Sequence, residues 1–186
     1  MSRWKKIKNK FVFENKWLKI DQVFFKLPNN KIYDYYFVRG DPVIAILGIT
    51  INKDVVLVKQ YRPATGKFMT DIPGGETEGG ESSKQTAKRE FLEETGYEIT
   101  KLRKLTTFYF DSGRSDKYST IYVGQAINKK EPLENKNEQL KRFEISYHKL
   151  LKAIKLGEIT EPTLRLAILS LELSQFKEEY LNNNLK

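Results

Sequence analysis

The stretch Gly75–Tyr97 reads GETEGGESSKQTAKREFLEETGY. It holds six glutamates (Glu76, Glu78, Glu81, Glu90, Glu93, Glu94) against three cations, Lys84, Lys88 and Arg89. The 186-residue chain around it is basic, with a formal net charge of +9. From Glu81 the hydrophobic spacing turns helical. Ser82 and Gln85 fit a capping box, and Gly96 stands where a left-handed C-terminal cap belongs. On that helix Glu90, Glu93 and Glu94 fall within an arc of about 100°, while Phe91 and Leu92 turn toward other elements. Local physics opposes such a face. Like charges at i,i+3 and i,i+4 destabilise a helix. At ~5.5 Å and an effective dielectric near 20, a partly buried pair would cost about 3 kcal/mol. The C-terminal half of a helix is also the unfavourable end for anions. A bound divalent cation would reverse the sign. An all-oxygen ligand set selects a hard ion, Mg²⁺, with Mn²⁺ as the alternative. Such an ion can activate water and neutralise charge on a phosphoryl group. Arg89 can pair with Glu93 at i,i+4 and orient the acidic face. The bland alternative is a solvated, charged helix surface.

Composition removes other chemistries. The chain has no cysteine, so disulfides, thiolate zinc sites and cysteine nucleophiles are excluded. Its one histidine, His148, excludes a histidine-rich metal site and reads as an exposed residue opening a C-terminal helix. Hydrophobic residues make up 39% of the chain and charged residues 31%, the balance of a globular protein. No apolar run approaches the roughly 20 residues of a membrane span. The basic N-terminus lacks an apolar signal core, so we expect a cytoplasmic protein with no membrane association. The lysines are scattered, apart from a short cluster at Lys5, Lys6, Lys8 and Lys10. That argues against nucleic acid as the partner and leaves a small phosphorylated ligand open.

Around the acidic helix the pattern is mostly strands. Residues Phe11–Leu27, broken at Glu14-Asn15-Lys16, predict two strands, and Ile32–Val38 a third after the turn Pro28–Lys31. Val43–Ile51 and Val55–Tyr61 predict a hairpin. Arg62–Asp71 reads as loop or short strand. Strands resume at Leu102–Phe110 and Ser119–Ala126, split by the loop Asp111–Lys117. A polar loop, Asn128–Gln139, precedes a strand at Lys141–Ser146. Helices are expected at Leu150–Leu156 and Thr163–Phe176. The layout is α+β or mixed α/β.

The order Gly75, five residues, Glu81, seven residues, Arg89-Glu90, Phe91, one residue, Glu93-Glu94, one residue, Gly96, Tyr97 resembles the complete Nudix box, with every defined position filled. The resemblance implies an α/β/α sandwich with a mixed β-sheet and an enzyme that hydrolyses nucleoside diphosphates linked to another moiety. It implies Glu90 and Glu94 as principal metal ligands, Glu93 as a further ligand or water-organising catalytic residue, and the Gly74 carbonyl as a backbone ligand. Glu81 would be supporting, and Gly75 and Gly96 turn residues.

Between about Phe11 and Leu171 the chain is similar to one branch, the ADP-ribose pyrophosphatases and related nucleoside-diphosphate-sugar hydrolases. The likeness runs through Phe37-Val38-Arg39-Gly40, Val55–Pro63, Asp71–Gly75 and Gly157-Glu158-Ile159. It implies an N-terminal β-section over residues 1–41 that supports a homodimer, and a hydrolase domain over 42–186. It implies Arg39, Arg62 and Asp71 as contacts to a nucleotide-sugar substrate. Ser112, Gly113 and Arg114 occupy the place of a substrate loop. An arginine suits a diphosphate because its fork binds phosphate bidentately. For the water-activating base the likeness points to the loop after the box strands, at Glu138, with Glu134 and Glu131 as alternates. Two departures stand out. The branch usually has Pro-Gly where this chain has Asp111-Ser112-Gly113-Arg114, and Glu where Asp71 stands. Both leave nucleotide sugars other than ADP-ribose open. A hydrolase of RNA 5′ ends or dinucleoside polyphosphates is the alternative reading.

Overall fold

A computed structural model describes residues 3–131 and 140–182. The chain falls into two compact units, one of residues up to Pro42 with Phe108–Ser119, the other of Val43–Thr107 with the residues from Thr120 onward.

The first unit is built on an antiparallel sheet in the order β1-β2-β3, with β1 at Lys5–Glu14, β2 at Lys19–Lys26 and β3 at Ile32–Arg39. The break expected at Glu14–Lys16 is a turn closed by Asn15. Its Oδ1 accepts from the amides of Trp17 and Leu18, both at 2.8 Å. The first strand starts at Lys5, six residues before the expected Phe11. Lysines suit an edge strand, where charge discourages pairing with another chain, so the cluster Lys5–Lys10 belongs to a strand. The loop Asp111–Lys117 is fastened to β3. The Val38 amide donates to Arg114 O at 2.8 Å, Ser115 Oγ donates to Val38 O at 3.0 Å, and the Tyr35 hydroxyl donates to Gly113 O.

The second unit holds a seven-stranded sheet with central order β10-β5-β4-β9-β8. Its strands are β4 (Val43–Ile49), β5 (Asp54–Arg62), β6 (Lys67–Asp71), β7 (Gly74–Glu76), β8 (Glu98–Tyr109), β9 (Tyr118–Ile127) and β10 (Leu140–Ser146). The expected hairpin of β4 and β5 is present, but its two strands pair only beside the turn, at Gly48↔Val56 and Ile49↔Val55. Beyond that they part. β6 pairs with β5, β7 pairs with β4, and the Ile46 amide donates to Pro73 O at 2.8 Å. This split carries Gly74 and Gly75 into the sheet. β4 is buried at every position but its first, as a strand covered on both faces must be.

The helices provide that cover. The helix α1 (Ser83–Thr95) packs on β4, β5, β7 and β10, while α2 (Tyr147–Lys155) packs on β5 and β10, and α3 (Pro162–Glu172) on β4 and β6. Ala87 and Phe91 of α1 join Ile44, Ile46 and Val56 in one core cluster. Leu92 stays at the surface. The helix expected over Thr163–Phe176 stops at Glu172, and a short α4 (Lys177–Leu181) follows. Ser174 is the cause: its Oγ donates to Leu171 O at 3.0 Å and accepts from the Phe176 amide at 3.1 Å, competing with the helical ladder. Among the described residues no helix is long and apolar enough to cross a membrane.

Candidate active site

Both ends of α1 are set by the residues the sequence marks. The Ser82 amide and hydroxyl donate to Gln85 Oε1 at 2.9 and 2.7 Å. Gly96 closes the helix at φ 70°, its amide donating to Leu92 O at 2.8 Å. With Phe91 fully buried against β4, the neighbouring Glu90 and Glu94 turn toward β7. At Gly75 a Cβ would lie 2.6 Å from Glu90 Oε2, with the rest of that carboxylate closer still. The Glu90 carboxylate therefore fills the space that a side chain at position 75 would need. One turn further on, Glu94 Oε2 accepts from the Gly74 amide at 3.1 Å. Two carboxylates thus meet the same glycine pair.

Arg89 holds the acidic group together. Its Nε donates to Glu81 Oε1 at 2.9 Å and Nη2 to Glu81 Oε2 at 3.1 Å, a two-pronged contact, and Nη2 also donates to Glu76 O at 3.1 Å. Nη1 reaches Glu90 Oε1 at 2.6 Å and Glu93 Oε2 at 3.4 Å. The expected Arg89–Glu93 pair is present, and Glu81 is the stronger partner. Arg89 draws the Glu81 carboxyl down to about 2. Burial lifts the Glu90 carboxyl above its usual range against the pull of Arg89. The Glu90 side chain is only 13% exposed, that of Glu93 42%.

Beside Gly74 and Glu94 lies a cleft that Gln60, Arg62, Met69 and Asp71 also line. Arg62 ends β5 and is exposed. Burial pushes the Asp71 carboxyl up to about 7, against the Ile72 amide, which donates to Asp71 Oδ1 at 2.8 Å.

The remaining expected residues belong to other segments of the chain. Arg39 ends β3 in the first unit, where β3 also carries the loop of Ser112, Gly113 and Arg114. Its guanidinium is paired with the wholly buried Asp21, which also accepts from Asn9 Nδ2 at 2.9 Å. Sequence reasoning missed Asp21. The signal was an acid on the inward face of an apolar strand, in register with Phe37 and so diagonal to Arg39. Glu138 and its alternate Glu134 fall outside the described residues. Glu131 and His148 are exposed.

Among the described residues no group of three or more acidic or histidine side chains is arranged to hold a cation. Arg89 stands between Glu90 and Glu93, and the Gly74 amide occupies Glu94. The donor set nevertheless suits a hard cation: Glu90 and Glu94 are oxygen donors on one helix face, meeting at a glycine pair that leaves them room.

An α/β sheet with an acidic helix seated on a strand's glycine pair is the architecture of one hydrolase class. The NUDIX domain model matches residues 41–166, and the chain belongs to that family: it is a Nudix hydrolase. It is 31% identical over 177 residues to a methanol dehydrogenase activator of Bacillus methanolicus, covering 88% of this chain and 96% of that one. It is 30% identical over 152 residues to an ADP-ribose pyrophosphatase of Bacillus subtilis, covering 81% and 82%. The fold matches that of a crystal structure of an ADP compounds hydrolase with a TM-score of 0.83, at 16% identity, over 96% of this chain and 97% of that one.

Proposed function

We propose that the protein is a Mg²⁺-dependent pyrophosphohydrolase of nucleoside diphosphate sugars, with ADP-ribose the first candidate. Water would add to one phosphorus, the bridging P–O bond would break, and a nucleoside monophosphate and a sugar phosphate would leave. The observation that carries this reading is the meeting of Glu90 and Glu94 at Gly74–Gly75, beside a cleft lined by Arg62 and Asp71. The relative named as an ADP-ribose pyrophosphatase supports it.

Glu90 and Glu94 would hold the cation, with Glu93 and the Gly74 carbonyl completing the protein's share. When bound, the ion supplies an activated water and offsets charge building on the phosphoryl oxygens. Arg62 clamps the diphosphate with its fork. Asp71, whose carboxyl burial pushes up to about 7, can donate a hydrogen bond to the ligand in its protonated form. Arg39, Ser112, Gly113 and Arg114 are assigned to substrate binding, and Glu138 to the water-activating base. The section 1–41 is assigned to homodimerisation and 42–186 to hydrolysis. Exposed apolar side chains on the N-terminal strands, among them Ile7, Phe11, Phe13 and Tyr36, favour a buried partner surface.

The test offers the purified protein, with Mg²⁺, a panel of ADP-ribose, other nucleotide sugars, dinucleoside polyphosphates and 5′-triphosphorylated RNA. Monophosphate and sugar phosphate from a nucleotide sugar are expected. No product from any of them would overturn the substrate class. The charge of +9 favours the RNA alternative only if turnover of RNA falls steeply with salt. Glu90→Gln and Glu94→Gln should each lower turnover by about a hundredfold or more with the fold intact. Turnover like that of the unaltered protein would refute the ligand assignment.

A further inference from the structure

Beyond the box, we infer that Arg142 on β10 is a positioning residue that fixes the last turn of α1 and so aims Glu93 and Glu94. The inference rests on the function proposed above for the cation site and for its kinetic consequence.

The last turn of α1 has a problem that nothing in the helix solves. Its terminal carbonyls lack intrahelical partners and carry partial negative charge. Glu93 and Glu94 add two carboxylates there, and α1 has no basic side chain in its last turn. Thr95 is fully buried, so water cannot satisfy its carbonyl. Arg142 reaches across from the sheet and supplies both the donor and the charge. Its Nη1 donates to Thr95 O and, at 3.1 Å, to Lys130 O. The Lys130 amide returns to the helix end, donating to Gly96 O at 2.8 Å. Thr95, Gly96, Lys130 and Arg142 therefore form one closed group.

Arg142 is itself held in place. Its guanidinium lies 5.8 Å from the centre of the Tyr97 ring, and Lys129 Nζ lies 5.5 Å from the same centre. Tyr97 Oη donates to Glu144 Oε1 at 2.8 Å, and Lys129 Nζ donates to that same oxygen at 2.8 Å. Glu144 is two residues along β10, on the same face as Arg142. A lysine at 142 would keep the charge but present a point donor instead of a planar fork near a ring.

Two roles for Arg142 give opposite results. If it acted only through its charge, removing it would leave the carboxylates less neutralised and tighten cation binding. If it positions the turn, removing it loosens the carboxylates and weakens cation binding. The experiment titrates the full chain with MgCl₂ alone, following thermal unfolding, for the unaltered protein, Arg142→Gln and Arg142→Lys, and then measures ADP-ribose hydrolysis at saturating Mg²⁺. For Arg142→Gln the half-saturating Mg²⁺ concentration should rise about fivefold or more and kcat fall about tenfold or more, with KM changed less than about twofold. Arg142→Lys should recover part of both. A folded Arg142→Gln whose Mg²⁺ midpoint is unchanged or lower, or whose kcat per folded molecule is unchanged, overturns the inference. If Arg142→Gln does not fold, Arg142→Lys decides it, with a smaller shift of the same sign expected and values like the unaltered protein overturning it. If the unaltered protein hydrolyses no nucleotide sugar, the proposed substrate falls and Arg142 is judged by the Mg²⁺ midpoint alone.

Discussion

Gly48 on β4 faces the ring of Phe91 on α1, and the fit leaves no room for a methyl group. A Cβ at position 48 would overlap three ring atoms, and even the most distant of them, Cε1, would be only 3.2 Å away. Comfortable carbon–carbon separation is about 3.5–4.0 Å and the nearest ring atom would lie at 2.1 Å, so in Gly48→Ala the ring or the helix must retreat by about 1.5 Å. Both residues are buried, and Phe91 has no exposed surface. Overpacking of this kind costs about 1–3 kcal/mol. In a chain of this size that lowers Tm by about 2–4 °C for each kcal/mol. Activity should suffer more than stability, because the retreating helix carries Glu90 and Glu94, and a displacement of about 1 Å can cost about a hundredfold in rate. Phe91→Leu shortens the side chain that collides, so Gly48→Ala/Phe91→Leu should recover part of both losses. A double-mutant cycle on urea-unfolding free energies should show a coupling of about 1 kcal/mol or more. If Gly48→Ala matched the unaltered protein in Tm and turnover, or the two substitutions were simply additive, the account of how the sheet seats the acidic helix would be refuted.

Asp71 makes stability pH-dependent. Its carboxyl titrates near 7 when folded, against an ordinary value of 3.8, so between these limits the folded chain binds more protons than the unfolded one. Stability conferred by the neutral form is lost as pH rises from about 4 to about 7, by up to about 4 kcal/mol. Asp71→Asn should flatten that slope in urea unfolding at pH 5 against pH 8, and an unchanged slope would refute the assignment. Arg89→Met removes the partner of Glu81, Glu90 and Glu93 and should cost about 2 kcal/mol by urea unfolding. In the same variant Mg²⁺ should raise Tm more than it does in the unaltered protein. Treatment of the unaltered protein with a chelator should leave the circular dichroism spectrum unchanged, because Arg89 already neutralises these carboxylates. Unfolding by chelator would show that a metal builds the site.

What was legible in the sequence was what local chemistry fixes. Ser82, Gln85 and Gly96 bound the helix because caps are short-range. The apolar runs gave β4 and β5 to within two residues. The parting of β4 and β5 was not legible. Insertion of β6 and β7 between them depends on pairing across the sheet, and Arg62–Asp71 has no strong strand pattern of its own. The break after Glu172 was hidden because Leu171, Leu173 and Phe176 continue an apolar pattern, while the hydroxyl of Ser174 decides the backbone. Asp21 was missed for a related reason: an acid inside an apolar strand has meaning only once β3 delivers Arg39 beside it.

The charge conflict on α1 shows how far a local argument reaches. Spacing alone said that Glu90, Glu93 and Glu94 needed a positive charge nearby. The structure supplies two in the protein itself. Arg89 lies on the N-terminal side of the cluster and grips Glu81, Glu90 and Glu93. Arg142 lies beyond its C-terminal end and grips the backbone. The first competes with a cation for carboxylate oxygens, while the second holds a backbone carbonyl, that of Thr95. Binding of a cation at Glu90 would therefore displace Arg89 Nη1 without costing the helix its C-terminal anchor. Arg89 would keep its two contacts to Glu81 through that exchange, because Nε and Nη2 make them. The fork of one arginine would thus let the acidic face be stable without a cation and open to one, a division of labour that lysine, with one ammonium, could not perform.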